Sequence, residues 1–127
     1  MFKMIYCLRR LPSLSRSEFQ RYWREQHAPL VRGNAAALGV RRYVQSHTVE
    51  EPALSLVSSA RGSGGLDYDG VAELWWDSKA ALLAAVTSDA GQSASLALLE
   101  DEARFIDLAN SPVFFAEERV DASRDVD

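Results

Sequence analysis

The sequence predicts a single α+β domain with the element order β-α-β-β-α-β, and three observations lead to this class. The chain has 127 residues, of which 47% are hydrophobic, and this is enough for one buried core. Strand-like stretches stand near its beginning, middle and end. The regions between them carry apolar residues at helical spacing or are rich in alanine and leucine.

The first strand is predicted at residues 2–9, where apolar side chains occupy both alternating faces. A helix is predicted to begin at Ser15, because Ser15 and Glu18 have the spacing of a capping box. Its apolar stripe runs on to Leu38, and Gly39 is expected to end it. The sequence therefore predicts one strand followed by one long helical region.

The remaining elements follow from alternation, capping residues and helix breakers. They are, in chain order, strands at residues 40–49 and 70–76, helices at residues 78–86 and 92–108, and a strand at residues 111–120. Asp77 is expected to cap the first of these two helices, and Gly91 is expected to separate them.

This order is the ferredoxin-like split βαβ arrangement with a four-stranded antiparallel sheet. Two helices cover only one face of such a sheet, yet the strands at residues 2–9 and 70–76 are apolar on both faces. A second copy of the chain is the simplest cover, so we expect a homodimer. Residues 1–120 are predicted to form the domain and residues 121–127 a charged tail. The Gly/Ser-rich stretch at residues 50–69 is expected to be a lid or a disordered loop.

Composition and charge argue against several classes of function. With 14 basic and 18 acidic side chains the formal charge is -4, which disfavours binding to nucleic acid. The longest aliphatic run, residues 80–86, is far shorter than the roughly 20 residues of a membrane span, and no secretory signal is apparent. We therefore expect a cytoplasmic protein without membrane contact. Cys7 is the only cysteine, which excludes an intrachain disulfide and a cysteine-based zinc site within one chain.

The two histidines are the candidates for proton transfer, because histidine titrates near neutral pH. His27 follows Phe19 and Trp23 at four-residue intervals, which places it on the inward face of the first helix. Pro29 has no backbone N–H, so we expect this helix to bend near His27. The alternative is a buried neutral histidine bonded to a carbonyl group, and His47 near a strand end has solvation as its alternative.

A strip of polar side chains follows one face of the second strand, because Tyr43, Gln45 and His47 alternate along it. Such a strip orients a ligand if it faces an apolar cavity, and it is a solvated edge if it faces water. Glu73 and Trp75 share a face of the third strand, where Glu73 is a candidate base or an edge carboxylate. A second tryptophan follows Trp75 on the opposite face, so one of the two is expected under the helices and the other on the face that a partner covers.

Several short motifs are distributed along nearly the whole chain. They are YW at residues 22–23 with HAPL at 27–30, RY at 42–43, DGVAELW at 69–75 and DEARF at 101–105. Together they resemble the EthD family. The resemblance implies a dimeric α+β barrel, in which two ferredoxin-like subunits press their sheets together and each encloses a pocket. EthD itself is associated with bacterial degradation of ethyl tert-butyl ether beside a cytochrome P450 system.

A related branch of this superfamily, methylmuconolactone methylisomerase, handles an unsaturated lactone with histidine, tyrosine and cysteine side chains and without a metal or organic cofactor. By motif position the resemblance implies His27 and Tyr43 as counterparts here. The cysteine has no counterpart, because Leu74 stands at its place. That particular isomerisation is therefore not carried over to this chain.

We expect a cofactor-independent lyase or isomerase that acts on a small apolar oxygenated compound, with no metal site. His27 is the expected proton shuttle, and Tyr43 the expected donor to a developing oxyanion. The expected substrate-binding side chains are Trp23, Gln45, His47, Glu73 and Trp75. Two alternatives remain open: a non-catalytic binding protein that supports a partner oxidase, and a structural dimer.

Overall fold

The structure, a computed structural model, describes residues 1–64 and 67–124. The strands are β1 (Phe2–Leu8), β2 (Arg42–His47), β3 (Gly70–Trp76) and β4 (Val113–Glu117), and the helices are α1 (Arg16–Tyr22), α2 (Ala28–Leu38), α3 (Ser55–Ser59), α4 (Lys79–Thr87) and α5 (Asp89–Glu102). In the described part of the chain, the four strands form one antiparallel sheet in the order β2-β3-β1-β4. The predicted ferredoxin-like class is confirmed.

The ends of the first helical region lie where the sequence placed them. Ser15 Oγ accepts a hydrogen bond from the Glu18 amide at 3.1 Å, and Glu18 Oε1 accepts one from the Ser15 amide at 2.9 Å. These two bonds complete the capping box. Gly39 ends α2 in the left-handed conformation with φ of 71°. The predicted cap of α4 was wrong, because Ser78 rather than Asp77 accepts a bond from the first turn.

The bend expected near His27 takes the form of a π-helical turn at Trp23–His27, between α1 and α2. Pro29 has no N–H to donate to the preceding turn, so the helix widens before it. The Ala28 amide then donates to the Trp23 carbonyl, five residues earlier. The wide turn leaves Trp23 and His27 both buried.

The second helical region breaks at Ser88 and not at Gly91, because the Ser88 side chain caps α5 by accepting a bond from the Gly91 amide at 3.0 Å. Gly91 lies inside α5 and touches the end of α4. Helix α5 ends at Glu102, so the predicted helix at residues 92–108 began too late and ran too far. Helices α4 and α5 meet at an 87° bend, and only together do they have the length and apolarity of a membrane span. No single helix among residues 1–64 and 67–124 has both.

The two faces of the sheet are different. The core lies between the helices and one face, and its largest fully buried side chains include Trp23, Phe19 and Phe105. The opposite face, which we call the open face, carries partly buried Ile5 and Val71 and an exposed Phe114. The helices of the described chain therefore leave this second face uncovered, as the sequence indicated.

A buried carboxylate fixes the entry to β3. Asp69 is 2% exposed, and its carboxylate accepts hydrogen bonds from Arg10 Nη1 at 2.5 Å and Arg16 Nε at 3.0 Å. Gln20 Nε2 adds bonds to the Asp69 carbonyl at 3.1 Å and the Thr48 carbonyl at 2.9 Å. Burial by itself would raise the pKa of Asp69, but the bonds from Arg10 and Arg16 outweigh it and lower the pKa. This cluster joins β3 to α1 and to the end of β1.

The middle of the segment at residues 50–69 is ordered as helix, so the expectation of a disordered loop was wrong there. A 3₁₀ turn at Pro52–Leu54 leads directly into α3, so the middle of the segment is helical. The side chains of residues 50–64 are exposed and do not pack over the helix face of the sheet. Residues 65–66, and residues 125–127 of the predicted tail, lie outside the described residues.

We expect Gly91→Ala to destabilise the fold, because a Cβ at this position would lie 1.8 Å from the carbonyl oxygen of Ala85. Relief of such a clash requires backbone movement, which costs about 1–3 kcal/mol. Gly33→Ala is the matched control, since it also places alanine in a helix but meets nothing within 4 Å. It should stabilise the protein by about 0.5–1 kcal/mol. Denaturant unfolding of both variants tests this, and equal midpoints would contradict the expectation.

Candidate functional site

A histidine and an aspartate pair inside the protein. His27 Nδ1 lies 2.7 Å from Asp101 Oδ2, and the Tyr22 hydroxyl donates to Asp101 Oδ1 at 2.6 Å. The His27 and Asp101 side chains are 6% and 11% exposed. A carboxylate only accepts hydrogen bonds, so Nδ1 of the neutral imidazole carries the proton and Nε2 carries the free lone pair.

Electrostatics favour a neutral His27 beside an ionised Asp101. Burial lowers the pKa of His27, although the hydrogen bond to Asp101 opposes that shift. Burial alone would raise the pKa of Asp101, but bonds from Tyr22 and His27 outweigh it and lower the pKa. At neutral pH the imidazole is therefore free to accept a proton at Nε2, and the carboxylate would stabilise the imidazolium that results.

His27 lies at the inner end of a cleft between the helices and the sheet. The inner part has a volume of about 40 Å³ and is lined by His27, Trp23 and Tyr43 among others. The outer part, about 350 Å³, lies under α4 and α5, and most of its lining is apolar. The two parts share the side chains Met4, Tyr6, Leu74, Leu98 and Glu102. We call the two parts together the apolar cleft.

A larger depression of about 500 Å³ lies elsewhere, and Arg9, Tyr68, Asp69 and Asp107 contribute to its lining. It is open and polar, it mixes arginine with aspartate, and no histidine lines it. The apolar cleft is the better candidate site, because it combines an apolar lining with a few converging polar groups.

The polar strip predicted on β2 forms, and it faces the helices. Gln45 Nε2 donates to the Tyr43 hydroxyl at 2.7 Å and to the Trp23 carbonyl at 3.0 Å, and His47 Nε2 donates to Gln45 Oε1 at 2.9 Å. The His47 ring also packs against the Trp23 ring, with centroids 4.5 Å apart. Of the three strip residues only Tyr43 lines the apolar cleft, and Gln45 and His47 hold it in place. Burial raises the pKa of Tyr43, so its hydroxyl stays protonated and can donate.

The packing of Trp23 requires its indole ring to lie close to the backbone of β3. A Cβ on Gly70 would lie 2.4 Å from the indole ring of Trp23, so only glycine leaves room for that ring. The glycine of the DGVAELW motif therefore sets the packing of a side chain in the cleft, while Asp69 before it anchors the strand.

Glu73 and Trp75 lie on the open face, away from the apolar cleft. In the β2–β3 register Leu74 faces the helices, so its neighbours on β3 point the other way. Glu73 accepts a hydrogen bond from Lys3 Nζ at 2.6 Å, and Trp75 Nε1 donates to Glu118 Oε2 at 3.1 Å. The structure thus brings together His27, Tyr43, Trp23, Gln45 and His47, and it places Glu73 and Trp75 elsewhere.

Two acidic residues, Asp101 behind His27 and Glu102 in the cleft lining, are not among the residues that the sequence predicted. Asp101 and Glu102 belong to the DEARF motif and follow Leu98 by three and four residues, so they continue the inward stripe of α5. The sequence signal that could have identified them is the presence of acidic side chains at positions where the inward stripe of α5 calls for apolar ones. Burial raises the pKa of Glu102 to about 7. Among the described residues, no group of three or more His, Cys, Asp and Glu side chains is arranged to hold a metal ion.

The fold and the cleft define a ferredoxin-like domain with a histidine–aspartate pair at the inner end of an apolar cavity. The EthD domain family matches residues 11–109, and the chain belongs to the EthD family. A search of curated proteins found no match.

Solved structures show the same fold. An ethyl tert-butyl ether degradation (EthD) family protein from Bacillus halodurans has 22% identity and a TM-score of 0.61, with 94% of this chain and 99% of that chain covered. An EthD-like protein from Ralstonia eutropha has 14% identity and a TM-score of 0.61, with 96% of each chain covered. A dimeric protein of ferredoxin-like fold from Bacteroides fragilis has 10% identity and a TM-score of 0.56, with 92% of this chain and 95% of that chain covered.

We expect Asp101→Asn to lower the pKa of His27 further, because the carboxylate that stabilises the imidazolium is removed. An NMR titration of the imidazole resonances measures this directly. His47 is the internal control, since it bonds to Gln45 and not to Asp101. An unchanged His27 pKa would show that Asp101 does not govern its protonation.

Proposed function

We propose that this protein is a cofactor-independent lyase or isomerase that acts on a small, mostly apolar oxygenated compound. The observation that carries this proposal is the buried His27, whose Nδ1 is held by Asp101 and whose ring lines the inner end of the apolar cleft. The lining of the cleft suits an apolar ligand, and the few polar groups at its inner end suit a ligand oxygen.

The proposed reaction begins with His27 Nε2 taking a proton from a carbon beside a carbonyl group of the ligand. The electron pair of the broken C–H bond moves toward the carbonyl oxygen, and the Tyr43 hydroxyl donates a hydrogen bond to the developing oxyanion. Asp101 stabilises the imidazolium formed at His27. Return of the proton to another carbon completes an isomerisation, whereas its transfer to a departing oxygen completes an elimination.

A second candidate is a non-catalytic protein that holds an apolar intermediate for a partner oxidase. The observation that favours it is the outer part of the cleft, about 350 Å³, which can hold a ligand without involving His27. The two candidates differ in one result, because a binding protein returns its ligand unchanged and an enzyme does not.

Two copies of this chain are also proposed to pair through the open face. Apolar side chains on that face remain partly exposed, and Lys3, Glu73 and Trp75 form a polar cluster among them. The protein from Bacteroides fragilis, which shares the fold, is dimeric, and this supports the pairing of two copies. A second sheet against this face would bury the exposed apolar surface.

The function is tested first by native mass spectrometry of freshly purified protein, followed by denaturing analysis of any released compound. The compound is then incubated with wild type, His27→Ala and Tyr43→Phe. We expect wild type to convert it and His27→Ala to lose about 10²–10⁴-fold in rate while still binding it, because the proton acceptor is gone. Tyr43→Phe should lose rate through the missing oxyanion donor.

Gln26→Ala is the matched control, because Gln26 is exposed on the same π-helical turn as His27. It should retain the wild-type rate. Full activity in both His27→Ala and Tyr43→Phe would remove these residues from the mechanism, and unchanged compound with wild type would establish the binding protein instead.

Phe114→Asp is expected to turn the dimer into a monomer, because it places a charge in the apolar part of the open face. Phe115→Asp is the control on the same strand: Phe115 is 50% exposed, against 48% for Phe114, but it points to the helix side. Sedimentation velocity of both variants gives the masses. A wild-type monomer, or a dimer that survives Phe114→Asp and not Phe115→Asp, would contradict pairing through this face.

A further inference from the structure

Glu102 is a carboxyl group in an apolar cleft without a cation beside it. It is the last residue of α5 and lines both the inner and the outer part of the cleft. Within residues 1–64 and 67–124, no lysine or arginine lines either part. Among the described residues, no ion pair to Glu102 forms. Glu102 is partly buried. A carboxylate that loses water without gaining a cation is costly, so the neutral acid is favoured.

The groups around Glu102 do not supply the missing positive charge. The titratable groups that share the cleft or act on it are Tyr6 from β1, Tyr43 from β2, His27 from the π-helical turn and Asp101 from α5. Helix α4 and strand β4 contribute apolar lining such as Leu82 and Phe115. The ionised Asp101 adds like-charge repulsion, whereas a hydrogen bond with the Tyr6 hydroxyl lowers the pKa of Glu102 without offsetting its burial.

Burial brings the pKa of Glu102 to about 7, so its carboxyl group is largely a hydrogen-bond donor below that pH. A donor in an apolar site favours a ligand with an acceptor oxygen at the matching place. An ionised ligand would enter the same cleft without a lysine or arginine to meet it, and would lose its hydration.

We infer that Glu102 sets the ligand class of the apolar cleft: its protonated carboxyl group donates a hydrogen bond to the oxygen of a neutral ketone, lactone or ether, and carboxylate ligands are excluded. This inference rests on the proposed function only in that the cleft holds a small ligand. It assigns no step of the reaction to Glu102. Ligand affinity should then fall as the pH rises and Glu102 ionises.

The test uses two probes of the same shape, neutral 2-acetylnaphthalene and ionised 2-naphthoate. Their binding to full-length protein is followed by tryptophan fluorescence at about pH 6 and about pH 8.5, on either side of the Glu102 pKa of about 7. We expect wild type to bind the ketone about tenfold more weakly at the higher pH, through loss of one hydrogen bond. It should bind 2-naphthoate at least about tenfold more weakly than the ketone at the higher pH.

Glu102→Gln keeps a donor that does not ionise, so its affinity for the ketone should be equal at the two pH values. Any pH dependence that remains in this variant belongs to His27. Glu100→Gln, at an exposed position of the same helix, is the matched control and should behave as wild type.

The inference is overturned if wild type binds the ketone equally at both pH values, if the pH dependence persists in Glu102→Gln, or if wild type prefers 2-naphthoate. In each of these outcomes the cleft remains a ligand site and the proposed function stands. Absence of binding by folded wild type, with either probe at either pH, overturns the inference together with the cleft as a ligand site. Conversion of a co-purified compound then decides the proposed function separately.

Discussion

The contact between Asp101 and His27 is the interaction on which the inner end of the cleft depends. It joins the π-helical turn to α5 across 74 positions of sequence, and Tyr22 completes the carboxylate's hydrogen bonding. Loss of a hydrogen bond to a buried charged group typically costs about 1.5–3 kcal/mol, because the carboxylate is left without one of its donors. The pair therefore fixes the orientation of the imidazole and, at the same time, the packing of the first helical region on α5.

The two neighbouring carboxyl groups of α5 show how local surroundings shift the pKa of a carboxyl group in opposite directions. Asp101 receives hydrogen bonds from Tyr22 and His27, and its pKa is lowered. Glu102, one position further, lies among apolar side chains with the Tyr6 hydroxyl as its polar neighbour, and burial raises its pKa to about 7. Around pH 7 one fixed negative charge then lies behind the imidazole, and the cleft itself holds one carboxyl group that still carries a proton in part of the molecules. Asp101 supports charge at His27, while Glu102 offers a hydrogen bond to the ligand.

Local patterns were sufficient to predict much of the fold. The capping box at Ser15, the end at Gly39 and the alternation along β2 involve neighbours within a few residues, so the sequence shows them directly. The partner of His27 could not be predicted in this way, because Asp101 meets it only after the chain has folded. Alternation predicted that Glu73 and Tyr43 each lie on one face of a strand. Only the register of β2 and β3 shows that these two faces are on opposite sides of the sheet.

The π-helical turn at Trp23–His27 makes the length of this segment a structural constraint. A regular α-helix advances about 100° per residue, so removing one residue here would restore ordinary helical bonding and rotate everything beyond it by about that angle. The buried face of α2 would then turn away from the sheet and α5. Substitutions at the exposed positions of the π-helical turn leave the rotation of α2 about its axis unchanged. We therefore expect natural sequences to vary in side chain at the exposed positions between Trp23 and His27 but to contain no insertions or deletions there.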